Sequence, residues 1–168
     1  VKTRLGQGIG MTNAAWWFRH QSRALLRRLH DPRWHIVLAV SPDVAGLQSR
    51  VWPAHLMRCG QGRGNLGHRM ARMLRATSGG QACVIGADIP GITRKNVAEA
   101  FAALGSHDAV FGPAVDGGFW LIGLKYPTRQ PPGFFANGRW STEHALADAT
   151  ATLPHHRIAR VAILRDVD

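Results

Sequence analysis

An aspartate stands at the end of a short apolar run that thins into small residues, Cys83-Val84-Ile85-Gly86-Ala87-Asp88, and Pro90-Gly91 closes the stretch. Cys, Val and Ile in succession read as a strand buried on both faces, and Pro-Gly stops it. In an open α/β sheet, ligands bind outside the carboxyl ends of the strands. A carboxylate there, beside small residues, can hold a hard cation such as Mg²⁺, which favours carboxylate and phosphate oxygens. Turn capping is the plainer role, and on this fragment alone the two readings are even. A second acid opens the triplet Asp116-Gly117-Gly118. It reads as a hairpin turn, or as a place where a ligand approaches bare backbone while Asp116 bonds a hydroxyl, an amine or a metal-bound water.

Phosphate-binding chemistry has two sources. Lys2, Thr3 and Arg4 precede Gly6, Gly8 and Gly10, so cations and backbone N–H groups can converge on an anion. The loop Gly60-Gln61-Gly62-Arg63-Gly64-Asn65-Leu66-Gly67 leads into a helix and is a second candidate, with Gly64 and Asn65 at the helix start. It matches neither a Walker A loop nor a dinucleotide fingerprint. Trp140 could stack on a ligand ring, with core packing as the default. Asp166 and Asp168 follow the last strand, as a solvated tail or a second carboxylate source for a metal. His155-His156 has no second cluster at metal-ligand spacing, which argues against zinc.

Alternating strand and helix patterns must position these groups, giving an α/β layered sheet. Helices are expected at 13–30, capped by Thr12, with arginines on a wet face; at 66–76, with Leu66, Met70, Met73 and Leu74 inward; at 94–104, capped by Thr93; and at 143–149, capped by Ser141 or Thr142. Strands are expected at 34–40, 83–85, 108–112, 119–124 and 157–164, with residues 44–58 ambiguous apart from a possible short strand near 55–58, and 126–138 a long loop.

The chain has 168 residues, enough for one domain with a proper core, and is 45% hydrophobic. No apolar run approaches the roughly 20 residues that span a bilayer, so membrane insertion is not expected. Two distant cysteines give no disulfide framework, and a reducing cytoplasm is the default. The 21 Lys and Arg against 10 Asp and Glu leave a net charge of +11. That favours anionic partners. No nucleic-acid-binding motif accompanies it, so a basic solvated surface is preferred to specific nucleic-acid binding.

Four segments in this order resemble one family: Val-Lys-Thr-Arg-Leu (1–5), Gly-Asn-Leu-Gly-His-Arg-Met (64–70), Ile-Gly-Ala-Asp-Ile-Pro-Gly-Ile (85–92) and Gly-Pro-Ala-Val-Asp-Gly-Gly-Phe-Trp-Leu-Ile-Gly-Leu (112–124). Trp-Ser-Thr (140–142) is a fifth, shorter match. Together they are similar to the bacterial family called domain of unknown function 2064, assigned to the GT-A-type glycosyltransferases of the nucleotide-diphospho-sugar transferase superfamily. The resemblance implies a GT-A-like three-layer α/β/α sandwich around a mixed, mostly parallel sheet, spanning 1–168 as one domain. It implies a nucleotide-sugar donor, a small-molecule acceptor and a divalent cation, Mg²⁺ or Mn²⁺. Asp88 would be the metal-associated acid; Asp168, in the acidic tail, is the candidate for a further carboxylate. Lys2, Thr3, Arg4, Gly64 and Asn65 would contact the nucleotide and its phosphates. Asp116, Gly117, Gly118, Trp140, Ser141 and Thr142 would form the acceptor side, with Asp116 catalytic.

Lys-Thr-Arg-Leu is also similar to a run in guanylyltransferases that activate a phosphorylated acid, so nucleotidyl transfer from a nucleoside triphosphate is an alternative. A non-catalytic basic binding module is another. Family members carry a strand and a Gly/Pro-rich phosphate loop before Val-Lys-Thr-Arg-Leu, and this chain is expected to lack both. Asn65 and His68 stand where acids are usual, and Phe119-Trp120 replaces a more tyrosine-rich pair.

Overall fold

The structure is a computed structural model that describes residues 6–8, 10–77 and 79–165. Its first named element, helix α1 (Met11–Leu29), buries Ala14, Ser22, Leu25 and Leu29 along one side. Gly10, at φ 84°, precedes it, and no side chain caps it, so Thr12 lies inside the helix rather than before it. At the other end the Trp34 indole N–H donates to the Leu29 carbonyl at 2.9 Å. Trp34 therefore closes a helix instead of opening a strand.

Strand β1 is correspondingly short, Val37–Val40, and pairs in parallel with β2, Met57–Gly60. The short helix α2 (Asp43–Gln48) connects them, in the stretch whose pattern is ambiguous by sequence. Helix α3 (Leu66–Arg75) follows, starting where Asn65 accepts the His68 N–H at 2.9 Å. It buries Met70, Ala71 and Leu74, whereas Leu66, expected inward, is 47% exposed because it sits in the first turn ahead of the packed face.

A second sheet has the order β3-β5-β4-β6. Its strands are β3 (Ala82–Ile85), β4 (Ala109–Pro113), β5 (Phe119–Leu124) and β6 (Ile158–Arg160). β5 runs antiparallel to both β3 and β4, and β6 lies parallel to β4. Helix α4 (Arg94–Ala103) links β3 to β4 through a full capping box, with Thr93 and Asn96 satisfying each other's N–H groups. Helix α5 (Ala145–Ala151) precedes β6. It starts at Ala145, two residues after the expected position, with His144 before it and no side-chain cap. The last strand is likewise shorter than 157–164, although Leu164 still bridges Ala114.

Helices cover both faces of this sheet. Ala82, Phe111, Ile122 and Leu124 point to one core with Met70 and Leu74 of α3 and Ala149 of α5. Val110 and Leu121 point to the other, with Leu25 and Leu29 of α1 and Val97 and Ala100 of α4. Alternation along each strand thus feeds two layers of helix. Helix α3 also reaches the first sheet, where Cys59 Sγ of β2 lies 3.5 Å from Met73 Sδ. Among the described residues β3 pairs only with β5, and Cys83, Val84 and Ile85 are half-buried rather than enclosed on both faces. Burial still pushes the Cys83 thiol up to about 12.

Candidate functional site

The tip of β3 and the hairpin before β5 meet at one end of the second sheet. Ile85 pairs with Leu121, and the Gly86 N–H donates to the Trp120 carbonyl at 2.9 Å. Asp88 and Asp116-Gly117-Gly118 flank that junction along the chain, so both carboxylates emerge from the same sheet end. Asp88 is half-buried, and its side chain folds back over Gly86. A β-carbon at position 86 would come within 2.8 Å of Asp88 Oδ1. The glycine makes room for the carboxylate.

The segment behind Asp88 is fastened into the core. Ile89 and Ile92 are buried against α1 and α4. The Arg28 guanidinium of α1 donates to the Pro90 carbonyl at 2.6 Å. Arg28 is therefore half-buried and positioned against the site, a correction to the expectation that the arginines of this helix lie on a wet face. Only a view of the packed helix reveals this, since the sequence spacing puts Arg28 beside the apolar stripe.

Asp116 is exposed and accepts the Gly118 N–H at 2.9 Å, the geometry of an Asx turn. Gly117 has φ 86°, and a β-carbon there would run into the backbone of Glu143. Its carbonyl accepts the Leu146 N–H at 3.1 Å. The hairpin thus carries the segment that includes Trp140, Ser141 and Thr142. Trp140 packs edge-on to Phe119 and Phe135, at 6.4 and 5.3 Å between ring centres, and lies over Gly67 and Gly138. It is a packed, half-buried residue whose Nε1 has no hydrogen-bond partner among the described residues. Ser141 has φ 62° and is exposed; the Thr142 hydroxyl donates to the Arg139 carbonyl at 2.7 Å. Arg139 is paired with Asp148 at 2.8 Å, and the Arg139 side chain and backbone N–H hold that carboxyl well below the usual range.

The glycine-rich loop is held more firmly than its composition implies. The Gly62 N–H donates to Asp43, whose two carboxylate oxygens lie 3.2 and 3.1 Å away. Arg72 donates to the Gln61 carbonyl and, at 2.9 Å, to that of Arg63. Arg69 donates to the Gly64 carbonyl at 2.9 Å. Gly64 and Asn65 are thereby engaged in a strapped turn and a helix cap. By sequence Ser41-Pro42-Asp43 reads only as a turn, and nothing local marks Asp43 as the partner of Gly62. Lys2, Thr3, Arg4 and Asp168 lie outside the described residues. Among the described residues no group of three or more His, Cys, Asp or Glu is arranged to hold a metal ion, and no helix is long and apolar enough to cross a membrane.

The family described as "Uncharacterized protein conserved in bacteria (DUF2064)" matches residues 25–142. The match includes both Asp88 and the 112–124 segment. Among solved structures, a candidate nucleotide-diphospho-sugar transferase from Desulfovibrio desulfuricans G20 is similar over 100% of this chain and 76% of its own, with a TM-score of 0.85 and 26% identity. The two share the mixed α/β architecture. No curated protein matches the chain.

Proposed function

The chain belongs to the bacterial family called domain of unknown function 2064, and from that premise we propose that it is a glycosyltransferase-like enzyme using a nucleotide-sugar donor. The observation that supports this reading is that Asp88 and Asp116 lie at the same end of the sheet, where the β3 tip meets the hairpin before β5. The similarity to the candidate nucleotide-diphospho-sugar transferase supports the donor class.

A Mg²⁺ or Mn²⁺ ion fits the donor set, since such cations are held by one or two carboxylates completed by substrate phosphates. When bound it would offset negative charge on the diphosphate leaving group. Asp88 supplies the protein carboxylate, held in place by Gly86 and by the Arg28–Pro90 bond. Lys2 and Arg4 would neutralise further phosphate charge, since Arg can bind bidentately and Lys acts as a point charge. Thr3, Gly64 and Asn65 would border the nucleotide. On the acceptor side, Asp116 accepts a hydrogen bond from the incoming hydroxyl and can take its proton. Gly117 and Gly118 form the turn that presents Asp116, and Trp140, Ser141 and Thr142 would flank the hydroxyl.

Calorimetric titration with UDP- and GDP-sugars, with and without Mn²⁺, tests the reading. Mn²⁺-dependent binding is expected, weakened about tenfold or more, or about 1.4 kcal/mol, by Asp88→Ala. Absence of metal-dependent nucleotide-sugar binding overturns it. Pyrophosphate release from a nucleoside triphosphate, with a phosphorylated acid as acceptor, would instead assign the chain to nucleotidyl transfer.

A further inference from the structure

A cavity of about 250 Å³ opens at the opposite end of the same sheet. The antiparallel pairing fixes that placement: Leu124, in its wall, pairs with Ala82 at the start of β3, whereas Asp88 follows the end of β3. Arg129, His155, His156 and Tyr126 line it, and Asp108 contributes the single acid among its lining residues. The volume is below the range of drug-sized ligand pockets, so a compact ligand fits.

Charge decides the ligand's sign. Asp108 is already engaged, accepting the Arg157 N–H at 2.9 Å with the Arg157 guanidinium 3.5 Å away, and the Arg157 backbone bond keeps this carboxyl low. Arg129 rests over the Tyr126 ring at 5.3 Å and has no side-chain hydrogen bond or ion pair among the described residues. Lys125 approaches the same ring at 5.9 Å. His156 has its Nδ1 buried without a hydrogen-bond partner among the described residues. A guanidinium engaged only by the Tyr126 ring, two imidazoles and a phenol line a small cavity and offer a set of donors for one compact oxyanion.

We propose that this cavity binds a phosphate group, either free orthophosphate or the phosphate of a small monoester, at a site separate from the Asp88 end. The assignment stands apart from the donor reading above. The test is a titration of the ¹⁵N-labelled full chain with orthophosphate and, separately, O-phosphoserine, against chloride at matched ionic strength, reading histidine side-chain resonances. Saturable shifts confined to His155 and His156 are expected, with a midpoint raised about fivefold or more in Arg129→Gln and unmoved in Asp88→Asn. A tighter midpoint for O-phosphoserine assigns the site to a monoester, and the reverse to free phosphate. Non-saturating shifts shared by all histidines, the same midpoint in Arg129→Gln, or a midpoint that depends on Asp88 would overturn the proposal. Arg129 is exposed, so its replacement leaves the fold intact, and an unchanged melting temperature checks this.

Discussion

Gly117 holds φ at 86° and lies against the Glu143 backbone, so a β-carbon there meets peptide atoms rather than a side chain that can swing away. Gly117→Ala is expected to cost about 2–4 kcal/mol, combining a strained left-handed conformation with overpacking. Urea unfolding should show a lower midpoint at unchanged slope. Stability equal to the parent would mean that the 142–146 segment yields, and that the hairpin does not position Trp140, Ser141 and Thr142. Asp-Gly-Gly was legible as a tight turn from residue types alone. Which of its glycines is irreplaceable was not, since the obstructing backbone comes from a distant part of the chain. Gly86 is similar: its smallness was readable, but the Asp88 carboxylate folded over it was not.

Helix α1 shows how an element far from the chemistry in sequence comes to hold it in space. Leu25 and Leu29 pack against Ile89 and Ile92, while Arg28, between them, bonds Pro90. The segment bearing Asp88 is clamped on two sides. Arg28→Gln removes a charge-assisted bond worth about 1.5–3 kcal/mol. Amide exchange is expected to quicken at residues 88–92 and to stay unchanged in β4; uniform acceleration, or none, would refute the clamp. Elements whose limits come from local chemistry matched the sequence well. The Thr93 capping box starts α4, and Pro-Gly and Gly-Gly punctuation frames β3 and β5. Elements limited by tertiary partners did not match. β1 begins at Val37 because its partner β2 begins at Met57, and Trp34 is taken by the end of α1. The strapping of the glycine-rich loop by Asp43, Arg69 and Arg72 was equally invisible, since it joins three segments.

Across the whole molecule the net charge of +11 creates a positive field that draws anions whether or not they belong in the site. Several acids are already neutralised locally, including Asp31 by Arg33, which holds that carboxyl at about 2, and Asp148 by Arg139. What separates a transferase from a basic binding surface is therefore salt dependence combined with Asp88. A nucleotide sugar presents a compact diphosphate, and at about 0.1 M salt the field is screened beyond about 10 Å. Its affinity should then fall only severalfold between about 50 and 200 mM salt, while Asp88→Ala abolishes the Mn²⁺-dependent part. Nucleic acid held by many phosphate contacts loses about 10³-fold or more over that interval and does not respond to Asp88. Filter retention of a DNA duplex beside nucleotide-sugar calorimetry, both across that salt series, decides between them. The field serves a transferase if nucleotide-sugar binding persists at 200 mM while DNA retention collapses. If DNA is the tighter ligand at physiological salt and Asp88→Ala leaves it unchanged, the basic surface itself is the functional feature, and the carboxylate pair at the sheet end is only part of the scaffold.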